Sequence, residues 1–442
     1  MLILRGLEEG RRQLLAWPLP EESLHPSLRE RVRQLFGADL SVEEVCRRIL
    51  ADVRLRGDEA VAHYNSLLDG LPQDVPLEVS KEEWGKALTE VAPSLVEALK
   101  GAAQRVEAFH RRQREHALKP FQGDGAGQLV RPLQQVGVYV PGTVVSYPST
   151  VLMTAIPARV AGVEEVIMVT PARPDGSVAP EKLAAASIAG VSRVFRAGGA
   201  QAIAALAFGT ATIPRVDKVC GPGNIFVATA KRLLYGHVGI DGIFGPSETV
   251  IVADDTAHPY LVAVDMMAGA EHDELAMVVL ITVHEGLITE VEAHIRRGLE
   301  ALARAQVASH SLRARGAIVL VRDLEEAISL VNDLAPEHLC LHVRRPEDLL
   351  PKVKNAGCVF LGQNSAESLG DYLAGPSHVL PTGGSARFSS PLGVWDFLKV
   401  ITYVGLPPDE AAALAPVGAC IARSEGLTGH ALAIEARREM VG

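Results

Sequence analysis

The first 120 residues carry the hydrophobic pattern of amphipathic helices. Over residues 82–114, interrupted by Pro93, apolar side chains recur every three to four positions and predict one packed helix face. These side chains belong to Trp84, Leu88, Val91, Leu95, Leu99 and Val106. Two Ser-x-x-Glu pairs have capping-box spacing and predict helix starts, namely Ser41 with Glu44 and Ser80 with Glu83.

Beyond residue 120 the pattern changes to short β-branched runs separated by alanine-rich helical segments. The runs are Val136–Val140, Val166–Thr170, Val216–Val219, Thr249–Ala253, Met277–Thr282, Ala317–Arg322 and Cys358–Gly362. Strands that alternate with helices predict an α/β fold with parallel sheets, here as two sheets within 136–219 and 249–362. Residues 409–440 are predicted to be helical, with a break near Pro416.

Composition narrows the class of protein. The formal net charge of −10 over 442 residues argues against a general nucleic-acid binder, which needs a basic surface. No apolar run reaches about 18 residues, and the N-terminus lacks a signal-peptide pattern. The five cysteines form no CxxC pair, so we expect reduced thiols and a cytoplasmic protein.

Four glycine-rich segments are candidates for ligand-binding loops. They are Pro141-Gly142, Gly198-Gly199, Gly221-Pro222-Gly223 and Gly245-Pro246-Ser247, and each follows a predicted strand or precedes a helix. Loops at the carboxyl ends of parallel strands bind ligands, and glycine lets backbone N–H groups approach a phosphate. No GxGxxG motif is present, so ordinary tight turns remain an equal interpretation of each loop.

Three histidines and one aspartate are candidates for chemistry. His272 lies in an Ala-Glu-His-Asp segment within a predicted helix, His430 lies five residues beyond Glu425, and Asp371 is preceded by glycine. No compact metal motif such as HExxH occurs. Surface or core positions for the histidines, and a turn or helix cap for Asp371, remain open.

Glu337 and His338, directly after Pro336, form the third histidine candidate. In a loop or at a helix start both side chains could reach one cavity and act as a general acid and a general base. A helix N-terminus, where proline and glutamate are favourable for structural reasons, is an equal alternative.

Ten ordered segments together are far more specific than any one of them. They are GVYVPG (137–142), YPSTVLM (147–153), AGGAQAIAALAFGT (197–210), VDKVCGPGN (216–224), GPSE (245–248), AEHD (270–273), APEHL (335–339), GDY (370–372), HVLPT (378–382) and EGLTGHA (425–431). In these segments the chain resembles the histidinol dehydrogenase family, from about residue 54 to the C-terminus.

The resemblance implies the oxidation of L-histidinol to L-histidine through an aldehyde, with two NAD molecules and a catalytic zinc. Glu337 and His338 resemble the family's acid–base pair. His338 would take the alcohol proton, because the ordinary pKa of histidine lies near neutrality. Glu337 would activate water for the second oxidation.

The resemblance also implies binding residues. The positions that match NAD contacts are Tyr139, Gln201 and Asn224. The positions that match substrate contacts are Ser247, His272, His338, Asp371, Glu425 and His430. The positions that match zinc ligands are His272, Asp371 and His430, a donor set that suits zinc.

The chain departs from the family at Gly269. The family has a glutamine ligand three residues before the histidine of the AEH segment, whereas this chain has glycine. Either water or another residue fills the ligand position, or the metal is weakly bound or absent. We expect a metal that binds more weakly and extra room beside it. A smaller departure is Thr143, where the family usually has a second glycine.

The family resemblance implies two Rossmann-like domains in an intertwined homodimer whose helical terminal segments complete the structure. The expected parts are an N-terminal arm (1–30), a first domain with a helical N-terminal part (31–138 plus 249–391), a second, nucleotide-side domain (139–248) and a C-terminal dimer-contact segment (392–442). Glu425 and His430 would then serve the partner subunit's site.

Two alternative functions remain open. One is a paralogue that oxidises another small polar alcohol, suggested by Gly269. The other is a catalytically idle member, which the retained Glu337 and His338 disfavour.

Overall fold

The structure, a computed structural model, describes residues 1–17, 26–142 and 146–439. Residues 18–25 of the predicted N-terminal arm therefore lie outside the described residues. The helices are α1 Leu7–Leu14, α2 Pro26–Phe36, α3 Val42–Arg56, α4 Asp58–Asp69, α5 Lys81–Glu90, α6 Pro93–Glu115, α7 Pro148–Ala161, α8 Pro180–Ala189, α9 Gly199–Phe208, α10 Ile225–Leu234, α11 Pro259–Ala270, α12 Glu285–Gly298, α13 Ala305–Arg315, α14 Leu324–Leu334, α15 Pro346–Leu349, α16 Glu367–Tyr372, α17 Pro408–Ser424 and α18 Thr428–Glu439.

The strands confirm the predicted α/β class. They are β1 Leu2–Arg5, β2 Phe121–Gly123, β3 Ala126–Pro132, β4 Gln135–Tyr139, β5 Glu165–Thr170, β6 Arg193–Arg196, β7 Lys218–Cys220, β8 Gly239–Ile240, β9 Glu248–Ala253, β10 Met277–Thr282, β11 Gly316–Leu320, β12 His338–His342, β13 Cys358–Leu361 and β14 Leu398–Val404. Each of the seven predicted runs contains or overlaps a strand.

The predicted helix starts at Ser41 and Ser80 are confirmed. The Ser41 hydroxyl accepts the N–H of Glu44, whose carboxylate accepts the N–H of Ser41 in return. The Ser80 hydroxyl accepts the N–H of Glu83 at 3.1 Å. The stretch at 82–114 forms two helices, α5 and α6, because Pro93 disfavours a helical conformation in the residue before it.

The first parallel sheet has six strands in the order β1-β11-β10-β9-β12-β13. Its apolar side chains form one buried cluster with α11 and α13 on one face and another with α1 and α14 on the opposite face. Strands buried on both faces are continuously apolar, as in the β10 sequence MVVLIT.

The second parallel sheet has five strands in the order β6-β5-β4-β7-β8. Helices α7 and α8 pack on one side, and α3, α9 and α10 pack together around the other. The strand order reverses beside β4, so the loops after β4 and β7 leave the sheet at a topological switch point. Such a crevice is where open α/β sheets bind ligands.

The chain divides into two compact units. The first contains Met1–Glu115 and Leu133–Phe397 with both parallel sheets, and the second contains His116–Pro132 and Leu398–Gly442. The four-part domain division expected from the sequence stays a prediction.

The second unit holds an antiparallel sheet, in the order β14-β3-β2, and the helix pair α17 and α18. The predicted break near Pro416 is wrong, because α17 continues through this proline. Its alanines Ala419 and Ala422 pack against Ala431 and Ile434 of α18, and this packing holds the helix in place. The chain turns instead at Gly426, whose φ of +76° favours glycine.

Within the described ranges no helix is long and apolar enough to cross a membrane.

Candidate active site

Glu337 and His338 lie at the amino-terminal edge of the six-stranded sheet. His338 is the first residue of β12, so the expectation of a loop or helix start is wrong for this residue. Ala335, with a φ of +51°, ends α14, and the chain then enters the strand. In the sheet, His338 pairs in register with Thr249 of β9 and Cys358 of β13. His338 therefore lies at the edge of the sheet, between the neighbouring strands β9 and β13.

Both side chains of the pair are buried. Glu337 is 7% exposed and His338 is 4% exposed. Glu337 Oε2 accepts the backbone N–H of Glu248 at 3.0 Å and lies 3.7 Å from His338 Nδ1. Although the two residues are adjacent in sequence, the structure brings a carboxylate and an imidazole together in one buried place.

Helix α16 supplies two more carboxylates to His338. Glu367 and Asp371 are four residues apart, which places them on one helix face. His338 Nδ1 is 3.5 Å from Glu367 Oε1, and His338 Nε2 is 3.8 Å from Asp371 Oδ1. Neither ring nitrogen has a hydrogen-bond partner among the residues that the structure describes. Buried polar atoms normally have partners, so the imidazole is arranged to meet something besides this chain.

Burial and mutual charge interactions shift the pKa values of the side chains in this cluster. Burial, with the charge of Glu248 added, raises the pKa of Glu337 to about 8. Burial also raises the pKa of Glu367 to about 7. For His338, burial lowers the pKa, but the carboxylates of Glu367 and Glu337 outweigh it and raise that pKa to about 10. For Asp371, burial raises the pKa, and the neighbouring His338 outweighs it and lowers the pKa. The cluster thus favours the addition of positive charge.

His272 joins this cluster to form a group that can hold a metal. It lies just past the end of α11 rather than inside the helix, where the sequence predicted it. One donor atom each from His272, Glu367 and Asp371 lies within 4.8 Å of the other two. An imidazole and two carboxylates are ligands that a divalent ion such as zinc accepts. Together with the unpartnered His338 nitrogens, this donor set fits a metal ion.

The expected room beside Gly269 is filled. A Cβ atom at Gly269 would lie 2.5 Å from Thr249 Oγ1, which is closer than non-bonded atoms approach, and 3.1 Å from Thr249 Cβ, which is a tight contact. The Thr249 hydroxyl lies 2.8 Å from Glu367 Oε2 and donates to that carboxylate. The expectation of extra space is therefore wrong, because the neighbouring strand places a side chain there.

Ser247 lies directly before β9 at the same edge of the sheet, next to Glu248, which donates to Glu337. Glu248 in turn accepts the N–H of Gly383 at 3.0 Å. The glycine-rich segment 245–247 was expected to follow a strand or precede a helix. It does follow β8, but it leads into a strand, so it lies at the amino-terminal edge of the first sheet.

The remaining predicted substrate and metal residues belong to the second unit. Glu425 ends α17, and His430 lies on α18. Both side chains are exposed.

The predicted nucleotide residues lie after strands of the second sheet. Tyr139 ends β4, and its hydroxyl accepts the N–H of Gly199 at the start of α9. Gln201, on α9, donates to Asn65 at 3.2 Å, while its buried Oε1 atom has no partner within the described part of the chain. Asn224 caps α10 by accepting the N–H groups of the next turn.

These features fit a dinucleotide at the switch point of the second sheet. Two helices, α9 and α10, begin in the loops after β6 and β7, and helix N-termini favour phosphate. The orphaned Gln201 oxygen can accept a hydrogen bond from a ligand. Thr143 lies outside the described residues.

Sequence reasoning did not identify Glu367, Thr249 or His378 as site residues. Nδ1 of the half-buried His378 donates to the carbonyl of Asp371 at 2.9 Å, which leaves Nε2 to accept from Thr150. The spacing of Glu367 and Asp371, four residues on one short helix, was a signal that could have identified Glu367. Thr249 carries no such signal, because its role depends on the packing of α11 against β9.

Comparisons with known proteins agree with one another. A family model described as histidinol dehydrogenase matches residues 34–438. A histidinol dehydrogenase from Deinococcus radiodurans is 48% identical over 99% of this chain and 100% of its own length. One from Thermus thermophilus is 51% identical over 92% of this chain and 97% of its own. A crystal structure of histidinol dehydrogenase from Elizabethkingia anophelis matches with a TM-score of 0.89 and 31% identity, over 100% of this chain and 98% of that one.

Proposed function

The chain belongs to the histidinol dehydrogenase family, and we propose that it performs the family's reaction with Glu337 and His338 at the reacting atoms. The function is NAD-dependent oxidation of L-histidinol to L-histidine, through the aldehyde, in histidine biosynthesis. The observation that carries the residue assignment is the buried cluster in which Glu337, Glu367 and Asp371 surround His338.

His338 is proposed as the base that takes the alcohol proton. A base needs a free lone pair, and among the described residues neither ring nitrogen of His338 has a hydrogen-bond partner. The carboxylates alone raise the pKa of His338 to about 10, so a bound zinc, by offsetting their charge, would lower this pKa and free the lone pair. The flanking carboxylates of Glu367 and Asp371 would stabilise the imidazolium that forms. A zinc ion would polarise the substrate oxygen and offset the carboxylate charge around His338.

Glu337 is proposed as the base that activates water for the aldehyde step. Its pKa of about 8, raised by burial, makes it a stronger base than an exposed carboxylate. The N–H of Glu248 holds Oε2 at 3.0 Å and fixes the orientation of the carboxyl group.

We propose that zinc is held by His272 and Asp371 of one chain with His430 of the partner subunit. Substrate contacts are proposed for Ser247, His272, His338 and Asp371, completed by Glu425 and His430 of the partner subunit. The carboxylates at the site suit the cationic amino group of histidinol.

We propose that NAD binds at the switch point of the second sheet through Tyr139, Gln201 and Asn224. Bound NAD would accept the hydride from the substrate carbon. The buried Tyr139 hydroxyl and Gln201 amide are each held in one orientation by a hydrogen bond, to Gly199 and Asn65 respectively. Both side chains are therefore positioned before NAD binds.

A homodimer is proposed because the second unit exposes many large apolar side chains. On its two helices these are Leu414 (50%), Val417 (62%), Ile421 (56%) and Leu432 (65%). The buried core of α17 and α18 consists of small alanine side chains. Such a surface is typical of a contact with another subunit. We further propose that the enzyme acts in the cytoplasm, in keeping with its five free cysteines.

The paralogue alternative receives no support from the comparisons, and no observation favours an idle member. The test is to incubate the purified, zinc-loaded protein with L-histidinol and NAD. We expect two NADH for each histidinol consumed, with histidine as the product. Oxidation of other amino alcohols without oxidation of histidinol would overturn the proposal.

A further inference from the structure

We propose that Glu367 binds the divalent metal together with His272 and Asp371, in compensation for the glutamine that position 269 lacks. This inference rests on the proposed metal-dependent function and names the ligand that completes its site.

The first argument is the arrangement of donor atoms. The carboxylate of Glu367 lies with donors of His272 and Asp371 in a group whose atoms are all within 4.8 Å of one another. One ion could bind all three after a small closing movement. Since Glu367 and Asp371 extend from one face of α16, such a movement can be shared by both ligands.

The second argument is how Glu367 is held. Its side chain is buried, and the hydroxyl of Thr249 lies 2.8 Å from Oε2 and 3.1 Å from Oε1. A hydroxyl has one proton, so it orients one oxygen and leaves the other free to bind an ion. Hydrogen-bonded carboxylate ligands of this kind are a regular feature of metal sites.

The third argument is the glycine itself. Any side chain at position 269 would collide with Thr249, because a Cβ atom there would lie 2.5 Å from Oγ1. Gly269 therefore allows Thr249 to occupy the position from which it holds Glu367. The pair of Gly269 and Thr249 therefore explains both changes: the glutamine ligand is missing at position 269, and Glu367 is held beside the metal site.

An independent observation indicates that the site binds something. His338 is 4% exposed, and within the described ranges both ring nitrogens lack hydrogen-bond partners although they face Glu367 and Asp371. A site of three buried or half-buried carboxylates around one unpartnered imidazole is completed by a cation.

The test measures zinc affinity of the full-length protein by competition with a chromophoric chelator, and zinc content after dialysis. Disturbing a ligand's neighbour typically weakens metal binding about 10–100-fold, so Glu367→Gln should cost at least that much. Glu337→Gln is the matched control, because it removes the same charge from the same cluster outside the donor set. Its loss of zinc affinity should be smaller.

A second measurement separates ligation from positioning. With Co²⁺ in place of zinc, Glu367→Gln should change the visible absorption spectrum, whereas Glu337→Gln should preserve it. Glu367→Asp keeps the carboxylate and should retain more metal than Glu367→Gln, and circular dichroism checks that each variant is folded.

A double variant tests the compensation directly. Thr249→Ala removes the obstacle, so that Gly269→Gln can place an amide near the metal. In this background Glu367→Gln should cost less zinc affinity than in the parent protein, because the amide shares the role. If Glu367→Gln keeps the parent's zinc affinity and cobalt spectrum, the assignment of Glu367 is wrong. If the parent oxidises histidinol without any metal, the metal site with Glu367 is wrong while the proposed function stands. If the parent does not oxidise histidinol at all, the proposed function itself is wrong.

Discussion

Single side chains in the buried cluster differ mainly in what surrounds them. Glu337 and Glu367 are both buried carboxylates near His338, yet one accepts a backbone N–H and the other a threonine hydroxyl. Glu337 is therefore fixed to the strand beside it, while Glu367 belongs with Asp371 and His272. This difference allows a water-activating role for one and a metal-binding role for the other.

Separate substitutions of the acid–base pair should slow different half-reactions. We expect His338→Asn to slow alcohol oxidation and Glu337→Gln mainly to slow aldehyde oxidation, each by about 10²–10⁴-fold. Single-turnover assays that start from histidinol or from the aldehyde measure the two steps. Glu271→Gln, next to His272 but outside the proposed machinery, should leave both rates unchanged. Near-native rates of both steps in both variants would exclude the assignment.

Substitution of Gly269 alone should harm the protein. Gly269→Gln would restore the family's ligand if the space beside Gly269 were open, but the structure places Thr249 where the new side chain must pass. We expect overpacking to lower the free energy of unfolding by about 1–3 kcal/mol, as measured by urea titration. When Thr249→Ala is combined with Gly269→Gln, much of the lost free energy of unfolding should be recovered. Full stability of Gly269→Gln alone would show that Thr249 moves aside freely.

At the scale of secondary structure, elements with a strong hydrophobic pattern could be predicted from the sequence, whereas short elements could not. The apolar runs of β5, β9 and β10 and the caps at Ser41 and Ser80 follow from local physics. Strand β12 was missed because a buried strand that begins with a histidine after Pro-Glu has the same signature as a helix start. Helix α16 has six residues, too few for a hydrophobic period.

The position of the site was also beyond local reasoning. Gly221 follows β7 at the carboxyl end of a parallel strand, as the general rule for α/β sheets leads one to expect. Glu248 and His338 instead begin their strands, so the chemistry lies at the opposite edge of the other sheet. Only the tertiary packing of α11 and α16 brings His272 and Glu367 there.

The loop after β7 depends on a close backbone approach. The N–H of Gly221 donates to Asp241, and the buried Lys231 donates to the Gly221 carbonyl. At a φ of +109°, a Cβ atom on Gly221 would lie 2.2 Å from the carbonyl oxygen of Tyr139.

Gly221→Ala should therefore destabilise the fold and weaken the binding of NAD. Gly236→Ala is the matched control, since Gly236 has a similar φ of +103° but no atom in the way. We expect Gly221→Ala to cost about 1–3 kcal/mol more than the control in urea unfolding. NADH fluorescence titration should show a raised Kd for Gly221→Ala. Equal behaviour of the two variants would mean that the contact with Tyr139 is unimportant.

At the scale of the whole molecule, the proposed homodimer predicts complementation. An inactive His338→Asn subunit and an inactive His430→Asn subunit should together form one intact site in each mixed dimer. At equal amounts and with free exchange, random pairing returns about one quarter of the parent activity. Activity is measured after mixing, and subunit exchange is followed independently with tagged chains. Exchange without recovery would mean that each site is built within a single chain.

The contact between position 269 and Thr249 also constrains how this sequence can evolve. Position 269 cannot gain a side chain while Thr249 stays, because the threonine side chain occupies that space. A lineage that regained glutamine at position 269 would first have to shorten or reorient the residue at 249, and during that step Glu367 would lose its hydroxyl partner. Positions 249 and 269 should therefore vary together among relatives, and the order in which their substitutions accumulated should be recorded in reconstructed ancestors.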